Sequence, residues 1–441
     1  MQEQLLGASN KFFYYTMSQG ATFNIRIILT IPSLQIKMLQ DAMAEALKYY
    51  PELAVKIMVR ENKLISVRNT DSVLFVPKDD KVRHFGTKDT NGYLFYVSYE
   101  ADNFNFSYYH GLTDAAGAME FMRCVMYLYA KRIGFVMSRE EVDEIKSAIR
   151  LGEDDFGKGD YNDLLDPYNT HKDTDAAPEF VFENEAAYDI PTTVYSDDTE
   201  YIHEAIVNVK TSEVISKAKA LETSVMALLN DVCSIAIRRE FEPKDKPVIA
   251  MVPVNLRPLC NSHTIVNCSD GVLLPVHEED EKADIKDRCA KWKSLMKNQM
   301  SEACVKSLMA SKAGAVESFE NGEVPFAKLA NEMTNPKKKG DKLPFSYALS
   351  YPGKLTLLTG LDKMISNCEV KALVKANAVI VHSFKEDMRL QVLCQTDDMR
   401  LADCVKRAFG DYGILAQTVD NKRVYFDHMM VDELENYYDE K

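Results

Sequence analysis

The sequence predicts a mixed α/β protein made of two α/β halves. Three observations lead there: strands and amphipathic helices alternate through residues 21–134, the same alternation returns from residue 201 onward, and an acidic segment lies between. With 441 residues, 46% of them hydrophobic, the chain can bury more than one core. The net charge of −14 is local, because Gly152 to Glu200 holds 15 Asp and Glu against two lysines and leaves about −1 for everything else. That segment also carries Pro167, Pro178 and Pro191 with Phe180, Phe182, Tyr188 and Tyr195. It is too aromatic for a free linker and reads as a crossover laid over the surface. The expected organisation is an N-terminal domain over 1–151, a crossover over 152–200 and a C-terminal domain over 201–441.

In the first half, "ATFNIRIILTI" (21–31) reads as a strand. Ser33 is then placed to cap a helix whose Ile36, Leu39, Met43, Ala46 and Leu47 recur at helical spacing, with Pro51 as its stop. Two short strands flank the turn at Glu61 and Asn62. "GYLFYVSYE" and "FNFSYYH", separated by Ala101, Asp102 and Asn103, read as an antiparallel pair. After Asp114 an apolar face of Ala118, Met122, Val125, Met126 and Tyr129 marks a helix that Gly134 ends. In the second half, "YIHEAIVNVK" reads as a strand, 212–241 as one long helix, "KPVIAMVPVNLRP" as a strand and 282–312 as another helix. "PFSYALSYPGKLTLL", two strands over 376–395 and a helix near 398–409 complete the pattern.

Composition excludes several classes. No basic patch with interleaved aromatics points to nucleic acid. No stretch has the 18 or so apolar residues of a membrane span, and the N-terminus lacks the basic and apolar regions of a secretory signal, so a cytoplasmic location is expected. Nine scattered cysteines, with no CxxC pair and no His/Cys cluster at zinc spacing, read as reduced core residues rather than a disulfide frame or metal site. The sequence sets no oligomeric state.

The chemistry-bearing stretch is "SYYHGLTDAAGAMEF", in which His110 precedes Asp114 by four residues. Spacing alone decides nothing: with eight histidines and aspartate at roughly 7%, about half of one chance HxxxD is expected. The chain has three: His110–Asp114, His171–Asp175 and His428–Asp432. The second lies in the acidic crossover and the third close to the chain end. Only His110 follows an apolar strand and precedes small residues and an apolar helix, so it sits at a strand-to-helix corner, where catalytic groups are often displayed.

That context resembles the chloramphenicol acetyltransferase-like superfamily, which includes condensation domains and alcohol acetyltransferases and whose mark is HHxxxDG. Here Tyr109 stands for the first histidine and Ala115 for the glycine, while Gly117 matches the second glycine of a DGxG variant. "LQDAMAEALKYYPELAVKI", "VPVNLRPLCNSHTIVNCSDGVL" and "LSYPGKLTL" are similar to further family segments in the right order. The resemblance implies two chloramphenicol acetyltransferase-like domains with an active-site tunnel between them, reaching His110 from both sides. It also implies transfer of an acyl group from a coenzyme A thioester to the hydroxyl or amine of a small molecule. His110 would be the general base, with no covalent intermediate. Asp114 would be structural, turned from the histidine and paired with Arg257. Ser350 and Asn267 are the oxyanion candidates. Lys337, Lys338, Lys339 and Lys342, the densest basic run, are candidates for coenzyme A phosphates. No permanently bound cofactor is implied; acyl-CoA is the donor substrate, with an acyl carrier protein as the alternative donor. The competing class is a non-catalytic descendant that binds a thioester or lipid without turnover.

Overall fold

The computed structural model describes residues 3–4, 6–17, 23–60, 63–151, 185–191, 201–321, 344–374, 376–396 and 398–425. Its first part supplies strands β1 (Glu3–Gln4), β2 (Phe23–Thr30), β3 (Val55–Arg60), β4 (Lys63–Arg68), β5 (Phe75–Pro77), β6 (Phe95–Glu100) and β7 (Asn103–Tyr109). The remainder supplies β8 (Tyr201–Lys210), β9 (Val248–Asn255), β10 (Ser269–Val276) and β11 (Tyr347–Ser350). It continues with β12 (Asn367–Val374), β13 (Ala378–Phe384), β14 (Asp387–Cys394) and β15 (Gln417–Tyr425).

These strands form three sheets: a small one in the order β1-β4-β3, a five-stranded one in the order β12-β2-β7-β6-β5, and a seven-stranded one in the order β10-β9-β11-β13-β14-β8-β15. Both larger sheets are mixed. β5 runs parallel to β6, and β11 runs parallel to both β9 and β13, while the other pairs are antiparallel. One core gathers the five-stranded sheet with the helices Ile36–Tyr49 and Ala115–Arg132, and a second gathers the seven-stranded sheet with Val225–Phe241 and Arg400–Asp411.

The five-stranded sheet is completed from far along the chain. β12 pairs antiparallel with β2 over its whole length, Asn367 opposite Thr30 and Val374 opposite Phe23. Its other side meets the seven-stranded sheet. Lys371 on β12 bonds the buried Glu204 of β8 at 2.9 Å, Arg389 of β14 pairs with Glu369, and the Ala372 N–H donates to Gln391 at 2.9 Å. Of the acidic crossover, residues 185–191 are described; Ile190 is buried in the second core and the Tyr188 N–H donates to the Pro247 carbonyl at 2.8 Å.

Three expectations need correction. Ser33 is not the cap of the first core helix: its φ is +60° and its N–H donates to Asp102 at 3.0 Å, while the helix begins after Gln35, whose N–H is taken by the Tyr129 hydroxyl. The expected helix over 212–241 is two helices, Thr211–Ala220 and Val225–Phe241, crossing at 96°. Glu222 at φ +53° breaks the run and Ser224 caps the second helix through the Ala227 N–H. The expected helix over 282–312 is interrupted as well, into Glu278–Lys282, Ile285–Gln299 and Glu302–Asn321, with Asp284 capping the middle piece. Only Tyr347–Ser350 of "PFSYALSYPGKLTLL" is strand. Polar residues that can accept from backbone N–H groups stop a helix even where the apolar period runs on.

Candidate active site

β7 delivers His110 to its corner. The β2–β7 ladder runs through Tyr109 opposite Asn24, and the His110 N–H extends it by donating to the Phe23 carbonyl at 2.8 Å. A turn closed by the Leu112 N–H on the Tyr109 carbonyl (2.9 Å) then leads into the helix Ala115–Arg132. The imidazole is 8% exposed and lies between two rings, Phe13 stacked at 4.8 Å and Phe23 tilted at 4.6 Å between centroids.

His110 Nδ1 meets two groups: the Thr113 carbonyl oxygen at 3.1 Å, which can only accept and favours a proton on Nδ1, and Asn267 Nδ2 at 3.2 Å, which can only donate and favours a lone pair there. Asn267 braces this arrangement. Its Oδ1 accepts from the Ser269 N–H (3.1 Å) and hydroxyl (2.8 Å), which turns Nδ2 toward His110, where it donates to the His110 carbonyl at 3.2 Å. Nε2 makes no hydrogen bond among the described residues. Burial holds the imidazole below the usual histidine pKa; the Asp114 charge works against that shift and Lys312 with it. The group is therefore a neutral imidazole with its Nε2 uncommitted.

Asp114 divides its two oxygens between two tasks. Oδ1 caps the helix by accepting from the Gly117 N–H at 3.0 Å. Oδ2 accepts from Arg257 Nη1 and from the Cys268 N–H, both at 2.8 Å. Burial pushes this carboxyl up, but the Arg257 charge and the hydrogen bonds from Arg257, Gly117 and Cys268 outweigh it and hold the group below the usual carboxylate range. Arg257 spends the rest of its fork on the Thr264 carbonyl (Nε, 2.6 Å) and the Val266 carbonyl (Nη2, 2.7 Å). One guanidinium thus clamps the loop before β10 onto the corner after β7.

Gly117 is a matter of space. A Cβ there would collide with the Ile265 carbonyl oxygen and with Thr113 Oγ1, which itself donates to that carbonyl. The helix start can approach the 262–268 loop this closely only without a side chain.

The structure therefore brings together His110, Asp114, Gly117, Arg257 and Asn267. Ser350 ends β11, opposite Ile380, and makes no hydrogen bond to His110 among the described residues. Lys337, Lys338, Lys339 and Lys342, and the other two HxxxD matches, lie outside the described residues. Sequence reasoning missed Thr113, which orients the imidazole, and Asn10, whose amide donates to the Gly111 and Leu112 carbonyls. It also missed Lys312, paired with Asp270 at 2.6 Å. Thr113 acts through its carbonyl, which no side-chain pattern reports, and the others act across long chain separations.

No family model matches the chain, and no curated protein does. Solved structures do match along nearly all of it. F. sporotrichioides TRI101, complexed with coenzyme A and T-2, superposes at TM-score 0.60 with 9% identity, over 95% of this chain and 100% of that one. Polyketide synthase associated protein 5 from Mycobacterium tuberculosis superposes at 0.57 with 10% identity, over 92% and 96%. The epimerization domain from the third module of tyrocidine synthetase B superposes at 0.59 with 11% identity, over 93% and 96%. At such identities the likeness is one of fold, and it agrees with the sheets described above: the chain has a mixed α/β, chloramphenicol acetyltransferase-like fold.

Proposed function

We propose that the chain is an acyltransferase that moves an acyl group from a coenzyme A thioester to the hydroxyl or amine of a small-molecule acceptor. The observation that carries this reading is the His110 imidazole, held neutral by burial, with both hydrogen-bond contacts of its ring at Nδ1 and none at Nε2 among the described residues; with the Nδ1 hydrogen bond donated to the Thr113 carbonyl, Nε2 is the base. Nε2 takes the acceptor proton as oxygen or nitrogen attacks the thioester carbonyl, and returns a proton to the leaving thiolate. No side chain needs to be acylated. Asp114 and Arg257 hold the corner and do not touch the reacting atoms; Asn267 holds the His110 backbone. Ser350 and Asn267 stay the candidates for oxyanion contacts, and access to Nε2 through a tunnel between the two larger sheets belongs to the same proposal. That F. graminearum TRI101 was solved with coenzyme A and deoxynivalenol supports a coenzyme A donor and a small acceptor. The synthetase-derived neighbour supports a carrier-bound thioester as the alternative donor.

The test is incubation with a panel of acyl-CoAs, alcohols and amines, with the acylated product identified by mass, because the chain's own thiols would react with a thiol reagent. A pantetheine-loaded carrier protein forms a second arm. Product from acyl-CoA supports the reading, product from the carrier alone moves the donor, and no product from either favours a binding protein of the same fold.

A further inference from the structure

Beside the Asp114–Arg257 pair lie two cysteines that the acyl-transfer reading does not use. Cys260 closes the short helix Arg257–Cys260 and Cys268 immediately precedes β10. Their sulfurs are 3.9 Å apart. The backbone ties the two segments together as well, since the Leu256 N–H donates to the Cys268 carbonyl at 2.9 Å. Cys268 is fully buried, whereas Cys260 is partly exposed.

We propose that Cys260 and Cys268 are a redox-active dithiol that closes to a disulfide by exchange with glutathione disulfide. Cys260, the accessible partner, attacks as its thiolate. The S–S bond of glutathione disulfide breaks, one glutathione leaves as its thiolate, and Cys260 carries the other as a mixed disulfide. Cys268, losing its proton, attacks the Cys260 sulfur and expels the second glutathione. The two cysteines are oxidised, their two electrons reduce glutathione disulfide to two glutathiones, and their two protons end on the thiolates released. The surroundings suit this order. A hydrogen bond from Cys268, backbone N–H groups and the Arg257 charge hold the Cys260 thiol below the usual cysteine range, against burial.

Closure cannot leave the corner alone. Bonded sulfurs sit about 2 Å apart, so one segment must move toward the other. The Cys268 N–H is bonded to Asp114 and Arg257 begins the helix that Cys260 ends, so the movement reaches both ends of the ion pair.

The test uses the full chain, incubated with glutathione disulfide, denatured, alkylated with iodoacetamide and digested with trypsin, which leaves both cysteines in one peptide, residues 245–282. The expected peptide is unalkylated and lighter than the dithiol by two hydrogens, and dithiothreitol before alkylation restores two alkylated cysteines. Cys268→Ser should hold glutathione stably on Cys260 for lack of a resolving thiol, and Cys260→Ser should take up none in this peptide. Alkylation of both cysteines after oxidation, or a persistent glutathione adduct in the unmutated chain, overturns the proposal. The readout is a peptide mass, so it stands or fails apart from acyl transfer.

Discussion

At the scale of single residues, burial keeps the His110 imidazole neutral, and that state makes predictions. His110→Ala should lower acyl transfer by about 10² or more while the protein stays folded, because the imidazole packs between two rings but makes no bond through Nε2. Circular dichroism and a denaturant midpoint check the fold, and product formation checks the loss. Undiminished turnover in the folded variant rules the base out. The pH profile follows from the direction of the shift. A base must be unprotonated, and burial keeps His110 so to lower pH than the ordinary 6.5. The acid limb of kcat/KM should therefore lie below pH 6.5; a limb at or above that value contradicts the buried imidazole.

At the scale of elements, one ion pair and one glycine join the corner to the loop before β10. Removing the guanidinium in Arg257→Ala leaves a buried carboxylate without its cation, which should cost about 3–5 kcal/mol. Lysine should restore little of it, because the fork serves Asp114, Thr264 and Val266 at once and an ammonium cannot span them. Urea midpoints of the wild-type, Arg257→Lys and Arg257→Ala proteins decide this, and a lysine variant as stable as wild type sinks the fork argument. Gly117→Ala forces the Ile265 carbonyl or the helix start to move and should cost about 1–3 kcal/mol by overpacking. A midpoint unchanged by the extra methyl would mean that the loop yields freely.

These elements also show what was legible in the chain. β7, the helix after Asp114 and the stop at Gly134 could be read from alternation, helical period and a glycine at φ +70°. The break at Glu222 could not, because a helical apolar period of Ala218, Leu221, Val225 and Leu228 continues through it while the local backbone turns. At the site, the residue types at 110, 114 and 257 were legible because their chemistry is carried by side chains. The carbonyls of Thr113, Thr264 and Val266 were not, since every residue has one.

At the scale of the molecule, the contact between the two larger sheets sets buried polar groups beside an apolar cluster of Ala372, Leu373 and Val374 of β12 with Ile202, Ala378, Ile380 and Leu393. His382 of β13 is 3% exposed beside Glu369 and Lys371 of β12, and neither of its ring nitrogens is hydrogen-bonded among the described residues. Burial pushes its pKa down to about 4, with Glu369 opposing and Arg389 and Lys371 assisting. The unfolded chain takes up this proton near 6.5 and the folded chain only near 4, so its stability is intact above 6.5 and declines as pH falls between the two. The loss should reach on the order of 3 kcal/mol. Replacing the imidazole in His382→Leu should shrink the gap between urea midpoints measured at pH 7.5 and pH 4.5; an undiminished gap assigns the acid sensitivity elsewhere.

The pairing of β12 with β2 has a consequence for how the protein is made. Both neighbours of β2 are needed to satisfy its backbone, and one of them is β7, while the other leaves the ribosome only after residue 374. At roughly 5–20 residues per second, β2 waits tens of seconds as an uncovered sheet edge, able to pair with the wrong strand of another nascent chain. The corner that carries His110 lies at the end of that sheet, so it is among the last parts of the molecule to be sealed.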